Sequence, residues 1–242
     1  MKYLKKFNES TDQTYEQVSR ICELYEIENW SINDQGLVDI NGNVNLSSRY
    51  LTELPLSFGK VTGNFYCNQN RLTTLEGSPR QVYKSFFCGD NKLTTLEGAP
   101  EKVGGYFICS DNDLGNLRGA PKEVGGHFFC TSNLLTTLEG APRLVDGSFV
   151  CPGNKIYDFP FENGEFNWND DLCFHYEDTQ DPNTNPIQEI YELFGDSKDK
   201  FFQSLDHRYF KGGNKIDKRR FYRALEEFGI DAPSQLENYI WV

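Results

Sequence analysis

Residues 65–82 read FYCNQNRLTTLEGSPRQV, residues 86–103 FFCGDNKLTTLEGAPEKV, residues 107–124 FICSDNDLGNLRGAPKEV and residues 128–145 FFCTSNLLTTLEGAPRLV. Each stretch begins 21 residues after the one before it. Cys67, Cys88, Cys109, Cys130 and Cys151 keep that spacing, with Phe65, Phe86, Phe107, Phe128 and Phe149 two positions earlier. Asn70, Asn91, Asn112, Asn133 and Asn154 follow three positions later. Leucines, a proline and a valine complete the unit F-x-C-x-x-N-x-L-x-x-L-E-G-x-P-x-x-V. A fixed period of this length is the signature of a stacked repeat architecture.

The chemistry of the unit says how it stacks. F-x-C alternates with period two, so Phe and Cys face one side of a short strand. Units in register bring like residues about 4.8 Å apart and build a Phe column beside a Cys column. A ring beside a small thiol fills a wedge-shaped interior without overpacking. Each Asn marks the strand's turn, where its amide can pair with backbone groups of neighbouring turns that burial would leave unsatisfied. The E-G-x-P stretch breaks helices, so the outer side is expected to be extended. Val44, Leu46, Leu51, Leu54 and Val61 form a degenerate earlier unit, with Arg49 where the asparagine belongs. After Cys151 the register falters, and Phe166 with Trp168 is read as a last irregular strand, giving six or seven in all.

A solenoid's ends need covering. Residues 14–27 place Val18, Ile21, Cys22 and Tyr25 at helical spacing, a capping helix. In the C-terminal third, Asn185-Pro186 starts a helix that Gly195 ends. A second helix opens near Asp217, turns Phe221, Leu225 and Phe228 to one face and stops at Gly229. Ser234 and Glu237 form a capping box for a last short helix through Tyr239, Ile240 and Trp241. The division is then 1–12 leader or arm, 13–39 N-terminal cap, 40–160 repeats, and 161–242 irregular last strand with a small helical C-terminal cap.

Composition removes several function classes. The chain has 242 residues and 36 Asp+Glu against 24 Lys+Arg, a net charge of −12, the wrong sign for general nucleic-acid binding. No apolar run approaches a membrane span, and MKYLKKFNES lacks the apolar core of a secretory signal. A cytoplasmic location with reduced thiols is the expectation.

The unit resembles the leucine-rich repeat L-x-x-L-x-L-x-x-N-x-L, with Phe and Cys at two leucine positions. The run L-T-T-L-E-G-A-P-x-x-V-x-x-F-x-C-x-x-N is similar to the short repeats of secreted bacterial effectors that carry a ubiquitin-ligase domain after the solenoid. Over nearly the whole chain the resemblance is closer to leucine-rich repeat proteins encoded by large tailed bacteriophages. It covers the lead-in IENWSINDQGLVDINGNVNL, the repeats and the exit NPIQEIYELFGDS. It implies an α+β fold: a leucine-rich repeat solenoid of 21-residue repeats, its parallel sheet on the concave face, capped at both ends. It brings no activity with it, because solenoids serve many partners.

With Phe and Cys inward, the residue between them faces outward. Those residues are Tyr66, Phe87, Ile108, Phe129 and Val150, all apolar or aromatic where polar side chains are the usual expectation. Tyr106 and His127 stand in the column on one side, and Asp90 and Asp111 edge the other. The stripe would run roughly 20 Å. An aromatic strip with a polar and acidic rim has the composition of an interface centre. These nine residues are the candidate partner-binding site. The competing reading has the C-terminal part or the N-terminal arm folded over them.

The cysteines make poor chemistry. They stand in single file with no C-x-x-C, so structural zinc is excluded, and in-register strands hold neighbouring Cβ atoms too far apart for disulfides. Core packing is their role. Cys173 breaks the period beside His175 and Asp178, the types of a thiol nucleophile. However, residues 157–185 hold eight Asp/Glu and no Lys or Arg, which raises a thiol pKa. The segment after Phe166 is also several times smaller than the effectors' ligase domains. No catalytic residue is assigned. Asp170, Asp171, Glu177 and Asp178 lack the D-x-D-x-D-G order of a calcium loop. Lys215, Lys218, Arg219, Arg220 and Arg223 gather on one helix without a nucleic-acid motif beside them.

The expectation is a non-enzymatic protein–protein interaction module without cofactor or metal, gripping another protein through the stripe. The phage resemblance implies a host protein as partner, in the host cytoplasm, one whose function or defence role is blocked. The leader-like N-terminus carries the alternative of a virion-associated or packaged structural protein. An enzyme using Cys173 and nucleic-acid capture by the basic helix are the remaining alternatives.

Overall fold

The computed structural model describes residues 11–157, 167–169, 172–173, 190, 193–194, 215–216, 218–231, 233 and 240–241. Over these the chain is a parallel β-solenoid of about five turns. Two sheets run along it. The phenylalanine sheet stacks Val44–Asn45, Phe65–Tyr66, Phe86–Phe87, Phe107–Ile108, Phe128–Phe129, Phe149–Val150 and Leu172–Cys173. The valine sheet stacks Trp30–Ile32, Val38–Ile40, Phe58–Val61, Gln81–Val82, Lys102–Val103, Glu123–Val124, Leu144–Val145 and Asn167–Trp168. Neighbours are parallel except at the start, where Trp30–Ile32 folds back antiparallel on Val38–Ile40. The sequence reading placed one sheet and an extended outer side. That outer side is itself hydrogen-bonded into the second sheet.

The strands are short because sharp corners bound them. Gln69, Asp90, Asp111 and Ser132 hold left-handed φ of 56°, 53°, 56° and 50° just before each asparagine. Asp is among the few residues other than glycine that visit this region. The second corner takes glycine. At Gly119, φ is 87°, and a Cβ would stand 2.4 Å from the Glu97 backbone nitrogen, so no side chain fits.

Inside, Phe65, Phe86, Phe107, Phe128 and Phe149 stack face to face with centroids 5.3, 5.5, 5.3 and 4.9 Å apart. Burying each ring stabilises the fold by about 1.5–3 kcal/mol, and each stack adds about 0.5–1.5 kcal/mol. The cysteine, leucine and valine columns complete one continuous core, with Val44, Leu46, Leu54 and Val61 of the degenerate first unit in the matching places.

The asparagines bind the turns together. Asn91 Nδ2 donates to the Cys67 carbonyl one turn back (3.0 Å) and to Cys88 in its own turn (3.1 Å). Its Oδ1 accepts the Leu72 N–H (3.0 Å). Asn112, Asn133 and Asn154 repeat the pattern. Where Arg49 replaces the asparagine, Asn70 Oδ1 accepts the N–H groups of both Arg49 and Leu51 at 3.0 Å.

The N-terminal helix spans Thr11–Leu24 and buries Val18 and Cys22. It ends before residue 27 because Glu26 takes a left-handed φ of 56° and the Ile27 N–H returns to the Cys22 carbonyl (2.8 Å). The hairpin behind it was not legible as strands.

At the other end one expectation finds its place and one is corrected. The last irregular strand expected at Phe166 and Trp168 is present as Asn167–Trp168, and it joins the valine sheet by pairing with Val145. The last phenylalanine-sheet strand is Leu172–Cys173, with Leu172 buried in the register of Phe149. Leu172, one turn on from Phe149, fills that core position; Phe166 lies outside the described residues. Ile240–Trp241 is not helical. It is a strand parallel to Lys215–Ile216, as suits a β-branched and an aromatic residue. Ser234 and Glu237 lie outside the described residues.

The second C-terminal helix, Lys218–Glu227, matches its expectation: Phe221 and Leu225 are buried and Gly229 closes it at φ 68°. Of the helix expected from Asn185, Ile190 and Leu193 are described and helical. Phe194 meets Phe221 and Phe228 edge-on at 6.1 and 5.5 Å.

Candidate functional site

The alternation of each strand sets the candidate face. Phe and Cys are buried on every turn from Phe65 to Cys151, and the residue between them is half-buried on the outside. Parallel pairing then lines up Tyr66, Phe87, Ile108, Phe129 and Val150 as one column.

The rings group into two clusters. Tyr66 and Phe87 stack with centroids 4.6 Å apart and planes 12° from parallel. Stacked along the solenoid axis, they cover each other's faces and turn their edges outward. Ile108 separates them from the second cluster. There Tyr106 lies 5.0 Å from His127 and 6.4 Å from Phe129, and His127 meets Phe129 at 5.8 Å. Tyr106 is the most open of them, 44% exposed. Val150 follows Phe129 in register.

One rim is a ladder of side chains that accept backbone N–H groups from the next turn. Asn43 Oδ1 takes the Asn64 N–H (2.8 Å), Asn64 Oδ1 that of Ser85 (2.9 Å), and Ser85 Oγ that of Tyr106 (3.0 Å). His127 Nδ1 takes the Ser148 N–H (2.8 Å), so its proton sits on Nε2. Sequence reading missed Asn43, although it precedes Val44 as Asn64 precedes Phe65.

The other rim carries Asp90 and Asp111, exposed at the left-handed corners. Partial burial, and then the negative charge of Asp90, raise the Asp111 pKa, while a hydrogen bond with Ser132 acts the other way. Segments 64–69, 85–90, 106–111, 127–132 and 148–153 contain no Lys or Arg.

The thiols behind the face are fully buried. Burial raises Cys67, Cys88, Cys109 and Cys130 well above the ordinary thiol value, and lifts Cys22 to about 11. The thiols of Cys67 and Cys109 donate to the carbonyls of Phe87 and Phe129. No disulfide joins the described cysteines. The backbone of Cys173 pairs with that of Val150, while its side chain, His175 and Asp178 lie outside the described residues. So do Asp170, Asp171 and Glu177. Among the described residues no three His, Cys, Asp or Glu side chains gather as a metal site, and no helix is long and apolar enough to cross a membrane.

Two further features lie apart from the stripe. The hairpin turn overhangs the valine sheet, forming a groove of about 510 Å³ lined by Asn33, Asp34, Asp39, Lys60, Arg80 and their neighbours. Asp39 Oδ1 accepts Asn33 Nδ2 (2.9 Å) and the Lys60 N–H (2.8 Å), and Arg80 reaches Gln35 at 2.7 Å. Sequence reading missed this groove because it depends on the hairpin. The basic cluster is smaller than expected, because Lys215 belongs to the strand Lys215–Ile216; on the helix Lys218–Glu227, Lys218, Arg219, Arg220 and Arg223 are exposed, and the Lys218 ammonium lies 5.2 Å from the Tyr222 ring centroid.

No protein-family description, curated protein or solved structure matches this chain.

Proposed function

We propose that the chain is a non-enzymatic protein-interaction module, a leucine-rich-repeat type of solenoid with caps at its ends. It holds a partner protein against the outer face of the phenylalanine sheet. One observation carries this reading: all five centre-column residues, Tyr66, Phe87, Ile108, Phe129 and Val150, are apolar or aromatic and half-buried on an outward face. The face is ordered by strand register and rimmed by polar and acidic residues. Exposed apolar strips of this kind mark interaction sites. The phage resemblance directs the search to a protein of the host, in its cytoplasm.

Affinity purification from bacterial lysate tests the reading. The native chain is expected to retain a protein that the double variant Phe87→Asp/Phe129→Asp loses, with unchanged circular dichroism. Equal retention by both forms moves the site off this face.

A further inference from the structure

The chemistry of the face narrows its occupant, if the reading above holds. Stacked Tyr66 and Phe87 present ring edges rather than faces, so they favour an apolar or aromatic side chain meeting them edge to face. Tyr106, His127 and Phe129 are tilted or T-shaped to one another, so this cluster offers both ring edges and ring faces to such side chains. The rim beside them carries two carboxylates. Asp90 and Asp111 lie one turn apart at equivalent corners, the five strand segments carry no lysine or arginine, and the chain's net charge is −12. The repulsion already felt by Asp111 from Asp90 is what a bound cation would relieve.

We propose that the occupant is an amphipathic basic segment of the partner protein, with apolar side chains on the ring edges and a lysine or arginine over Asp90 and Asp111. Apolar contact supplies most of the affinity, and the carboxylates select the sign of the partner and speed its approach.

The test uses the full chain and a random twelve-residue peptide library displayed on filamentous phage. Selected peptides are then synthesised and measured by fluorescence anisotropy. Lysine or arginine alternating with large apolar residues is the expected consensus. Affinity should fall at least about tenfold on Asp90→Asn/Asp111→Asn and on Phe87→Asp/Phe129→Asp, and weaken as salt screens the pair. Peptides that depend on Phe87 and Phe129 but are neutral or acidic, or ignore the Asn variant, overturn the basic occupant and leave the docking face standing. A selection yielding no peptide that depends on either pair overturns both.

Discussion

Asn112 Nδ2 donates to the carbonyl of Cys88 on the turn before it, at 3.1 Å. The same amide serves Cys109 in its own turn, and Asn112 Oδ1 accepts the Leu93 N–H. The amide also donates to the Ser110 carbonyl at 3.2 Å, so one side chain serves four backbone groups, and Asn112 is only 8% exposed. Asn112→Ala takes the acceptor from the Leu93 N–H, while the Cys88 and Cys109 carbonyls keep Asn91 and Asn133 as donors, so unfolding free energy should drop by about 1–3 kcal/mol in urea titration. Asn112→Asp should do no better, because a carboxylate cannot donate to Cys88 and Cys109.

Phe107 lies between Phe86 and Phe128 in the internal stack. Phe107→Ala is expected to cost about 3–5 kcal/mol by opening a cavity with rigid walls. The outward neighbour gives the contrast. Ile108→Ala, half-buried on the face, should cost less than half as much in the same thermal or denaturant unfolding experiment.

The thiol column predicts alkaline fragility. Burial holds Cys67, Cys88, Cys109 and Cys130 above their ordinary value of 9.0. Above that pH the unfolded chain releases protons that the folded chain keeps, so stability is full below about pH 9 and falls as pH rises. The slope is about 1.4 kcal/mol per pH unit for each thiol ionised only when unfolded. Denaturant midpoints measured from pH 7 to 10.5 should show this loss, and Cys88→Ala should make it shallower. A flat profile would contradict the buried column.

Asp111 follows the same sign in the acid range. Its folded pKa is raised, so its ionised form costs stability above that value, and the cost vanishes below the ordinary 3.8. Asp111→Asn keeps a residue tolerant of the left-handed corner and should stabilise the chain slightly at pH 7. Near pH 3 it should leave the midpoint unmoved.

Gly59 tests the groove network. A Cβ there would lie 2.0 Å from Asp39 Oδ1. Gly59→Ala must push that carboxylate away from Asn33 and Lys60, at about 1–3 kcal/mol. Faster amide exchange at Lys60, whose N–H the carboxylate accepts, is the local readout.

The repeats were legible because each period places like residues in register, and register decides who touches whom. The Phe stack, the buried thiols and the asparagine bridges all follow from that one count. The valine sheet was hidden because each of its rungs offers one buried residue, Val82 or Val103, with no alternation to betray a strand. The opening hairpin was hidden in two three-residue strands around a polar turn from Asn33 to Leu37. At the far end, Ser234 and Glu237 carried a local helix signal, whereas Ile240 pairs with Lys215 across a long stretch of chain. Pairing at that distance leaves no periodic mark. On the candidate face, the outward column was legible by alternation alone. The clustering of Tyr106 with His127 and Phe129 came only with the neighbouring turns in place.

Each step of the ladder joins residues 21 positions apart, as Lys60 does with Asp39 and Ser148 with His127. The molecule therefore grows in whole turns. Inserting or deleting one complete unit changes its length by about 4.8 Å and leaves every surviving neighbour with the kind of residue it had before. A partial unit would turn rings outward and break the amide bridges along the rest of the stack. The reach of the aromatic strip is thus a counted quantity: tandem duplication can match it to a longer partner in single increments, without redesign of any core.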